Sequence, residues 1–521
     1  MIDRSYLAAR YRAILASCGF VCSMSGLLML TPLTALISWP RESWTAPAFL
    51  VPGLSTAVAG FLAWRLLRGR GMLALNLTEG SVVVVLSWAV VCTVSAVPLM
   101  AAGGLGFTQA VFESVSGWTT TGLTVIDFST ATHTVHLWRG VMQLAGGAGL
   151  AIILLSAMTG PMGSSITAAE GRELLVPHVK RSARLVVTLY SGYAVAGIIG
   201  FHLAGMDLFD SIIHSFAAIS TGGFSTHPEN IGYFDSPAVE AVAVVLMILG
   251  NINFVTAWAL VRADLRSFWR SGEIRLTALL LPVSIVLLLL FTCSGIFPTP
   301  VKAVRVAVFE TVTALTTTGF STVSYSHWNG FGVLTLVVLM LVGGGTCSTA
   351  GGIKQFRVYA LWKSVIWEVR KALSPSGAVQ RRQLAGAGSL VHMNGERIGQ
   401  IGTFVFLYLL LFALGSGIIM SYGFDFRDSI FEFASALGTV GASIGLTSPG
   451  LPGGVLWTMT AGMFLGRLEI FIVLAGLSKL FRDMASLAPS VRAVPGFRCF
   501  RCSGISMHAN KKREQRLQHD V

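Results

Sequence analysis

Charge is scarce in this chain. Its 521 residues include 24 Asp or Glu and 37 Lys or Arg, 12% in all, where a soluble globular domain carries roughly a quarter. With 53% hydrophobic residues and a mean hydropathy of +0.71, that shortage excludes an ordinary water-soluble fold and points to a chain built for lipid. Cysteine is sparse as well: five of the seven, Cys18, Cys22, Cys92, Cys293 and Cys347, lie in or near apolar runs, where a thiol behaves as a small apolar residue. The other two form Cys499-Phe500-Arg501-Cys502, the spacing of half a zinc site, and only His508 and His519 follow. No phosphate-cradling Gly-Lys-Ser/Thr loop occurs, and no basic patch interleaved with aromatics points to nucleic acid. His133 and His136 stand close together, but no further ligand repeats nearby. An integral-membrane enzyme would need a nucleophile, an acid/base pair or a metal constellation, and none is evident, so no catalytic residue and no bound cofactor is expected.

What the chain does have is long apolar runs. After the basic start with Arg4, Arg10 and Arg12, the run Ala13 to Ser38 is too long for a cleavable leader and reads as a retained first span. A second follows from about Ala46 to Leu67. Eight more complete a ten-span reading of an all-α polytopic membrane protein: Gly80–Met100, Trp138–Thr159, Leu185–Ala204, Pro237–Val261, Leu276–Phe297, Phe331–Tyr359, Ile398–Tyr422 and Gly453–Leu480. Cytoplasmic loops carry the excess of Lys and Arg. On this layout 31 of the 37 basic residues lie on one side, with both termini, and Arg41, Arg139, Lys302, Arg305 and Arg427 on the other. The asymmetry accounts for the net charge of +13 without a nucleic-acid partner.

The spans from Gly80 onward are organised by a repeated stretch. Thr119-Thr120-Thr121-Gly122, Ser220-Thr221-Gly222-Gly223, Thr316-Thr317-Thr318-Gly319 and Gly438-Thr439-Val440-Gly441 align without a gap, with Thr second and Gly fourth in every copy. Nine residues before each Gly stands an ionisable residue: Glu113, His214, Glu310, Glu432. An amphipathic segment precedes each stretch, Phe107–Trp118, Leu208–Ile219, Ala303–Leu315 and Phe426–Leu437, long enough for about three helical turns. One such copy alone would read as an ordinary turn. Four, with glycines 101, 96 and 122 residues apart, read as a structural repeat.

Glycine allows backbone angles closed to other residues, so successive carbonyls can turn toward one axis, and Thr hydroxyls add oxygens. Four loops of this kind can form the ring that replaces the water shed by a K⁺ ion. The units are then span, short re-entrant helix, loop, span. The expected divisions are 1–70 for two extra N-terminal helices, 71–165, 166–265, 266–397 and 398–485 for the four repeats, and 486–521 for a basic cytoplasmic tail. Glu113, Glu310, Glu432 and His214 read more readily as hydrogen-bond partners for backbone behind the loops than as cation sites.

Four such units after two extra helices resemble the pore subunits of Trk-type bacterial potassium uptake systems, in the superfamily that includes the Ktr pore subunits. The likeness runs from the first span to about Leu480. Beyond the four loops, it includes Gln143-Leu144-Ala145-Gly146-Gly147, the stretch from Gly343 to Lys354, and Gly466-Arg467-Leu468-Glu469. The resemblance implies K⁺ uptake across the bacterial inner membrane, K⁺ held at the sixteen loop residues as a selectivity filter, a homodimer, and a cytoplasmic nucleotide-binding regulatory subunit (TrkA-like). Gly222, Gly438 and Val440 depart from Thr and His214 departs from Glu, so the ring is not fourfold symmetric. Channel-like flow and Na⁺- or H⁺-coupled symport of the Ktr kind both stay open; the lack of an intramembrane Asp/Glu relay leans toward the first.

Two features bear on gating. Gly343, Gly344, Gly345, Gly351 and Gly352, interspersed with Thr346, Ser348 and Thr349, fall inside an expected span. Each Gly disfavours helix by about 1 kcal/mol relative to Ala, so a break is expected, the alternative being a face for close helix packing. Arg467 lies mid-span, where a charge must face protein or water. It reads either as a barrier or latch below the loops or as a structural partner for Glu469 or a short-helix Glu. The topology is checked by cysteine labelling in intact cells: an impermeant thiol reagent is expected to modify cysteines placed at Ser43 and Thr132 and to spare one at Ser374.

Overall fold

The computed structural model describes residues 4–68, 75–149, 179–375, 382–385 and 390–487, which are mainly helical with almost no strand. In lipid each backbone polar group needs a partner within its own segment, which a helix supplies. Among the described residues the one sheet is the antiparallel pair Gln383–Ala385 and Leu390–His392, in the polar stretch between the third and fourth repeats. The chain forms two compact units, Met1–Leu480 and Phe481–Val521. The second is described only to Leu487, the end of a helix.

Six helical segments are long and apolar enough to cross a membrane: Tyr6–Ile37, Pro40–Leu67, Leu77–Ala101, Val186–Leu203, Gly272–Ile296 and Gly395–Ser421. Two further helix pairs are long and apolar enough only when taken together and are sharply bent, Pro237–Asn251 with Phe254–Val261 at 118° and Gly453–Leu468 with Ile470–Ser486 at 101°. The sequence places one span over each pair and does not anticipate the bend. In the first pair Ile252 is extended and Asn253 starts a new helix, accepting the Val255 N–H at 2.9 Å. In the second, Glu469 turns the chain at φ +61° while its carboxylate binds Arg357 at 2.8 Å.

The break expected in the third repeat is present. Helix Gly330–Val342 stops at Gly343 and the chain resumes as helix Gln355–Leu373. In the first repeat helix His133–Ala148 ends at Gly149, φ +55°. The rest of the span expected to reach Thr159 lies outside the described residues, as do most of the 161–184 segment, Cys499, Cys502, His508 and His519. All four post-loop helices thus stop after 13 to 16 residues, roughly 20–24 Å of helix.

The four short helices stand where the amphipathic pattern places them: Phe107–Trp118, Leu208–Ile219, Pro300–Leu315 and Phe426–Leu437. The third starts three residues early because Pro300 occupies the first helical turn, where its missing N–H is not needed.

Helices Arg4–Leu28 and Ala46–Leu67 pack backbone to backbone. A Cβ on Gly26 would strike Ala57 and Gly53, and one on Gly60 would strike Gly19 and Ser23, the close approach that small residues permit in membranes. Arg10 ties this pair to the repeats through a bidentate contact with Glu79. Both side chains are buried, and Glu79 also closes the capping box of helix Leu77–Ala101 with Asn76. Removing one partner of a buried pair strands the other charge, at a cost of about 3–5 kcal/mol. Arg10→Met is therefore expected to lower the thermal unfolding midpoint in detergent, and adding Glu79→Gln to restore part of the loss.

Candidate functional site

The last carbonyls of each short helix accept from the loop that follows in the same way. In the first copy Thr119, Thr120 and Thr121 donate to Val115, Gly117 and Ser116 at 2.8, 3.1 and 2.9 Å. The same three offsets recur from Ser220, from Thr316 and from Gly438. The pattern forces the second residue into left-handed space: Thr120, Thr221, Thr317 and Thr439 have φ of 54°, 52°, 53° and 48°. Left-handed backbone was expected at the glycines alone. For a β-branched residue it is an outlier, and such outliers persist only where the surroundings hold them. The fourth residues follow as expected, Gly122, Gly223, Gly319 and Gly441 at φ 97°, 74°, 79° and 93°.

These glycines close a ring. A Cβ on Gly122 would lie against the Gly222 carbonyl, on Gly223 against Thr318, on Gly319 against Val440, and on Gly441 against Thr121. Each fourth-position Gly thus abuts the third-position carbonyl of the next copy, in the order first, second, third, fourth, first. No side chain separates the loops at this level.

The ring is braced differently around its circumference. In the first and third copies the hydroxyls of the first and third residues bond each other, Thr119 to Thr121 and Thr316 to Thr318, at 2.8 Å. The second copy has Gly222 because Gln143 takes that place, donating to the Gly222 carbonyl and accepting the Phe224 N–H at 3.2 Å. In the fourth, Gly438 and Thr439 lie against Gly351 of the Gly-rich segment.

The ionisable residues of the short helices hold the chain as it leaves the ring. Glu113 accepts from Val125 N and Thr124 Oγ1, Glu310 from Thr322 N and Oγ1 and from Tyr325 Oη, and Glu432 from Ile444 N, Ser443 Oγ and Thr447 Oγ1. His214 Nδ1 donates to the Asp210 carbonyl, which leaves Nε2 to accept from Ser225 Oγ at 2.9 Å. A neutral His therefore holds the exit of its loop as the carboxylates hold theirs.

Arg139, which the charge count set on the outer side, is 1% exposed inside helix His133–Ala148. It donates to Glu113 at 2.7 Å, to Thr124 and to the Ser225 carbonyl, and lies 3.9 Å from the Phe224 ring centroid. It joins the first repeat to the second. His133 and His136 form no metal site: His133 binds Glu42 at 2.7 Å and stacks on Trp39, and His136 neighbours Arg139. Above the ring, a cavity of about 670 Å³ has all four fourth-position glycines in its wall.

On the opposite side of the ring sits the Gly343–Gly352 segment. Its neck is closed by Ile353 N to Leu341 O, Lys354 N to Val342 O and Gly344 N to Gly351 O. Gly343 and Gly352, at φ 69° and 77°, approach so closely that a Cβ on either strikes the other. The tip reaches the second-position threonines. Gly351 N donates to Thr317 Oγ1 at 2.7 Å, the Thr349 and Thr221 hydroxyls are 3.2 Å apart, and Gly351 abuts Thr439. Thr120 and Thr439 hydroxyls are fully buried with no protein partner.

Arg467 spans the underside, donating to Thr349 O at 2.7 Å and to the Gly146 and Gly147 carbonyls. Neither acidic partner weighed from sequence accounts for these bonds, since Glu469 is held by Arg357. The segment is anchored by four further bonds: Asn253 Nδ2 donates to Thr346 O at 2.6 Å, Thr346 N donates to the Glu273 carboxylate at 2.7 Å, Gly345 N donates to Asn251 Oδ1 at 3.3 Å, and Gln355 Nε2 donates to Gly343 O. Sequence reasoning missed these anchors; Asn251 and Asn253, two amides in an apolar run, were the signal for them.

A family model described as "TrkH: Cation transport protein" matches residues 53–485. The chain is 28% identical over 490 residues to the Trk system potassium uptake protein TrkH of Escherichia coli K12, covering 90% of this chain and 99% of that protein. It is 30% identical over 491 residues to TrkH of Halomonas elongata, with the same shares covered. Among solved structures, the crystal structure of the potassium transporter TrkH from Vibrio parahaemolyticus matches with a TM-score of 0.79 at 28% identity, over 90% of this chain and 99% of that one.

Proposed function

The chain belongs to the TrkH family of cation transport proteins, and from that premise we propose that it takes up K⁺ across the bacterial inner membrane through the four-loop ring. The observation that carries this reading is the closed ring of third-position carbonyls and fourth-position glycines, with the Thr120 and Thr439 hydroxyls buried and unpartnered beneath it. Buried polar oxygens without a partner are costly, and a dehydrated cation on the axis is the partner that ring and hydroxyls together suit. The residues assigned to the filter are the sixteen of the four loops. Both termini are assigned to the cytoplasm by the basic asymmetry, which sets the cavity above the ring on the outside.

Gly319→Ser tests the reading. The new Cβ would lie inside contact distance of the Val440 carbonyl and would sit at φ 79°, so the third and fourth loops must part. Uptake in a K⁺-transport-deficient host is expected to lose K⁺ preference over Na⁺ by about tenfold, the effect of roughly 1.4 kcal/mol of altered coordination. Unchanged preference would reject the ring as the filter.

The Gly343–Gly352 segment and Arg467 form the gate on this reading. The segment touches hydroxyls of three loops, and Arg467 pins it to the first repeat through Gly146 and Gly147. A guanidinium beneath a cation ring also opposes cation passage. Helix Gln355–Leu373 continues directly from the segment, so a cytoplasmic nucleotide-binding subunit, acting on a homodimer of this chain, has a lever on it. Because the neck residues already abut, excising Gly344 to Gly351 leaves ends that can rejoin. That deletion, and Arg467→Ala, are expected to raise K⁺ flux in proteoliposomes severalfold while leaving K⁺ over Na⁺ preference near that of the parent. Variants that insert but conduct no faster would place the gate elsewhere.

A further inference from the structure

The cavity above the ring is lined by two residues of full charge, Arg139 and Glu229. Their surroundings differ. Arg139 is buried against the Glu113 carboxylate and the Phe224 ring. His227, also in the wall, is bound to Asp210 at 3.1 Å and stacked on Tyr233. Glu229 is exposed, and among the described residues nothing pairs with its carboxylate. The wall therefore carries one uncompensated charge, and it is negative.

Glu229 is also fixed in position. The next residue, Asn230, has left-handed backbone at φ 56° and donates from Nδ2 to the Gly223 carbonyl at 3.1 Å, so the strap carrying Glu229 is hydrogen-bonded to the ring itself. Two residues on, Gly232 N donates to the Ser321 carbonyl at 3.1 Å, two residues past Gly319. A Cβ on Gly232 would strike Thr322 O. Farther along, Asp235 is bound by Lys302 at 2.6 Å and by Arg305, which also takes Glu240. Those two cations hold the Asp235 carboxyl below the usual range, and its charge is answered there. The strap thus bridges the second and third loops, spends its other acid on a clamp, and leaves Glu229 facing the cavity.

We propose that Glu229 is an outer cation-binding site, a carboxylate that gathers a hydrated alkali cation in the cavity and hands it to the ring at Gly223. This rests on the transport reading above. A charge of one sign in a low-dielectric cleft raises the local concentration of its counter-ion and its rate of entry, and the effect weakens as salt screens it. The site acts on capture and not on choice among cations, because a single exposed carboxylate does not replace an ion's hydration shell.

The test is K⁺ uptake against external K⁺ in a transport-deficient host for the parent, Glu229→Gln and Glu229→Asp. At low ionic strength Glu229→Gln is expected to raise the half-saturating K⁺ concentration about threefold or more, with K⁺ over Na⁺ preference retained and Glu229→Asp near the parent. Raising ionic strength with impermeant choline chloride should shrink the difference. A Glu229→Gln curve that matches a saturating parent at low ionic strength overturns this inference alone. So does a shift that choline chloride leaves intact, because it would mean altered strap geometry and not charge. A parent without saturable K⁺ uptake overturns the transport reading and this site with it.

Discussion

Four chain segments meet with no side chain between them, and the contact that lets them do so is a glycine laid against the carbonyl of the next loop. Most of the fold follows from meeting that condition at membrane depth, where an unpartnered backbone group has no water to turn to. The first three N–H groups of each loop donate back to the last carbonyls of its own short helix, so the loop carbonyls are left free of those bonds. Each exit is caught by a buried Glu or by His214. Gly146, Gly250 and Gly466 in the post-loop helices let those helices press on the last short-helix carbonyls, at Trp118, Ile219 and Leu437. Left-handed threonine at four equivalent positions shows how tightly this is over-determined.

The departures from fourfold symmetry have a common logic. Where Thr–Thr braces exist, in the first and third copies, the loop supports itself. Where they are missing, an element from another repeat fills the space: Gln143 of the first repeat supports Gly222, and Gly351 of the third repeat lies against Gly438 and Thr439. The residues that break the repeat in sequence are thus the seats for the parts that make the four units one body.

The short helices and the broken third span were legible because their signals are local: an amphipathic face of three turns, a Thr/Gly column, five glycines in ten residues. The bends at Ile252 and Glu469 were not, because a run that is apolar on average hides a two- or three-residue interruption. Gly250-Asn251-Ile252-Asn253 and Gly466-Arg467-Leu468-Glu469 do carry the signal, each setting a Gly beside side chains that compete for backbone hydrogen bonds. The role of Arg139 was hidden for a different reason. Counting basic residues gives a cation a side but no partner, and Arg139 is discharged on Glu113, 26 residues away, a pairing no local pattern encodes. Arg10 and Glu79 were beyond reach in the same way.

The oxygen that seats the Gly-rich segment belongs to one of the four second-position threonines. Thr317 Oγ1 accepts from Gly351 N, and the Thr221 hydroxyl meets Thr349, while the equivalent Thr120 and Thr439 hydroxyls have no protein partner. A lone pair engaged by an N–H is withdrawn from any cation at that level. On the transport reading, segment and cation therefore compete for Thr317 Oγ1. Linkage makes such competition reciprocal: a seated segment weakens cation binding at the lower ring by the same factor by which a bound cation weakens the seat. On that reading the segment and the cation are alternative partners of the Thr317 hydroxyl oxygen.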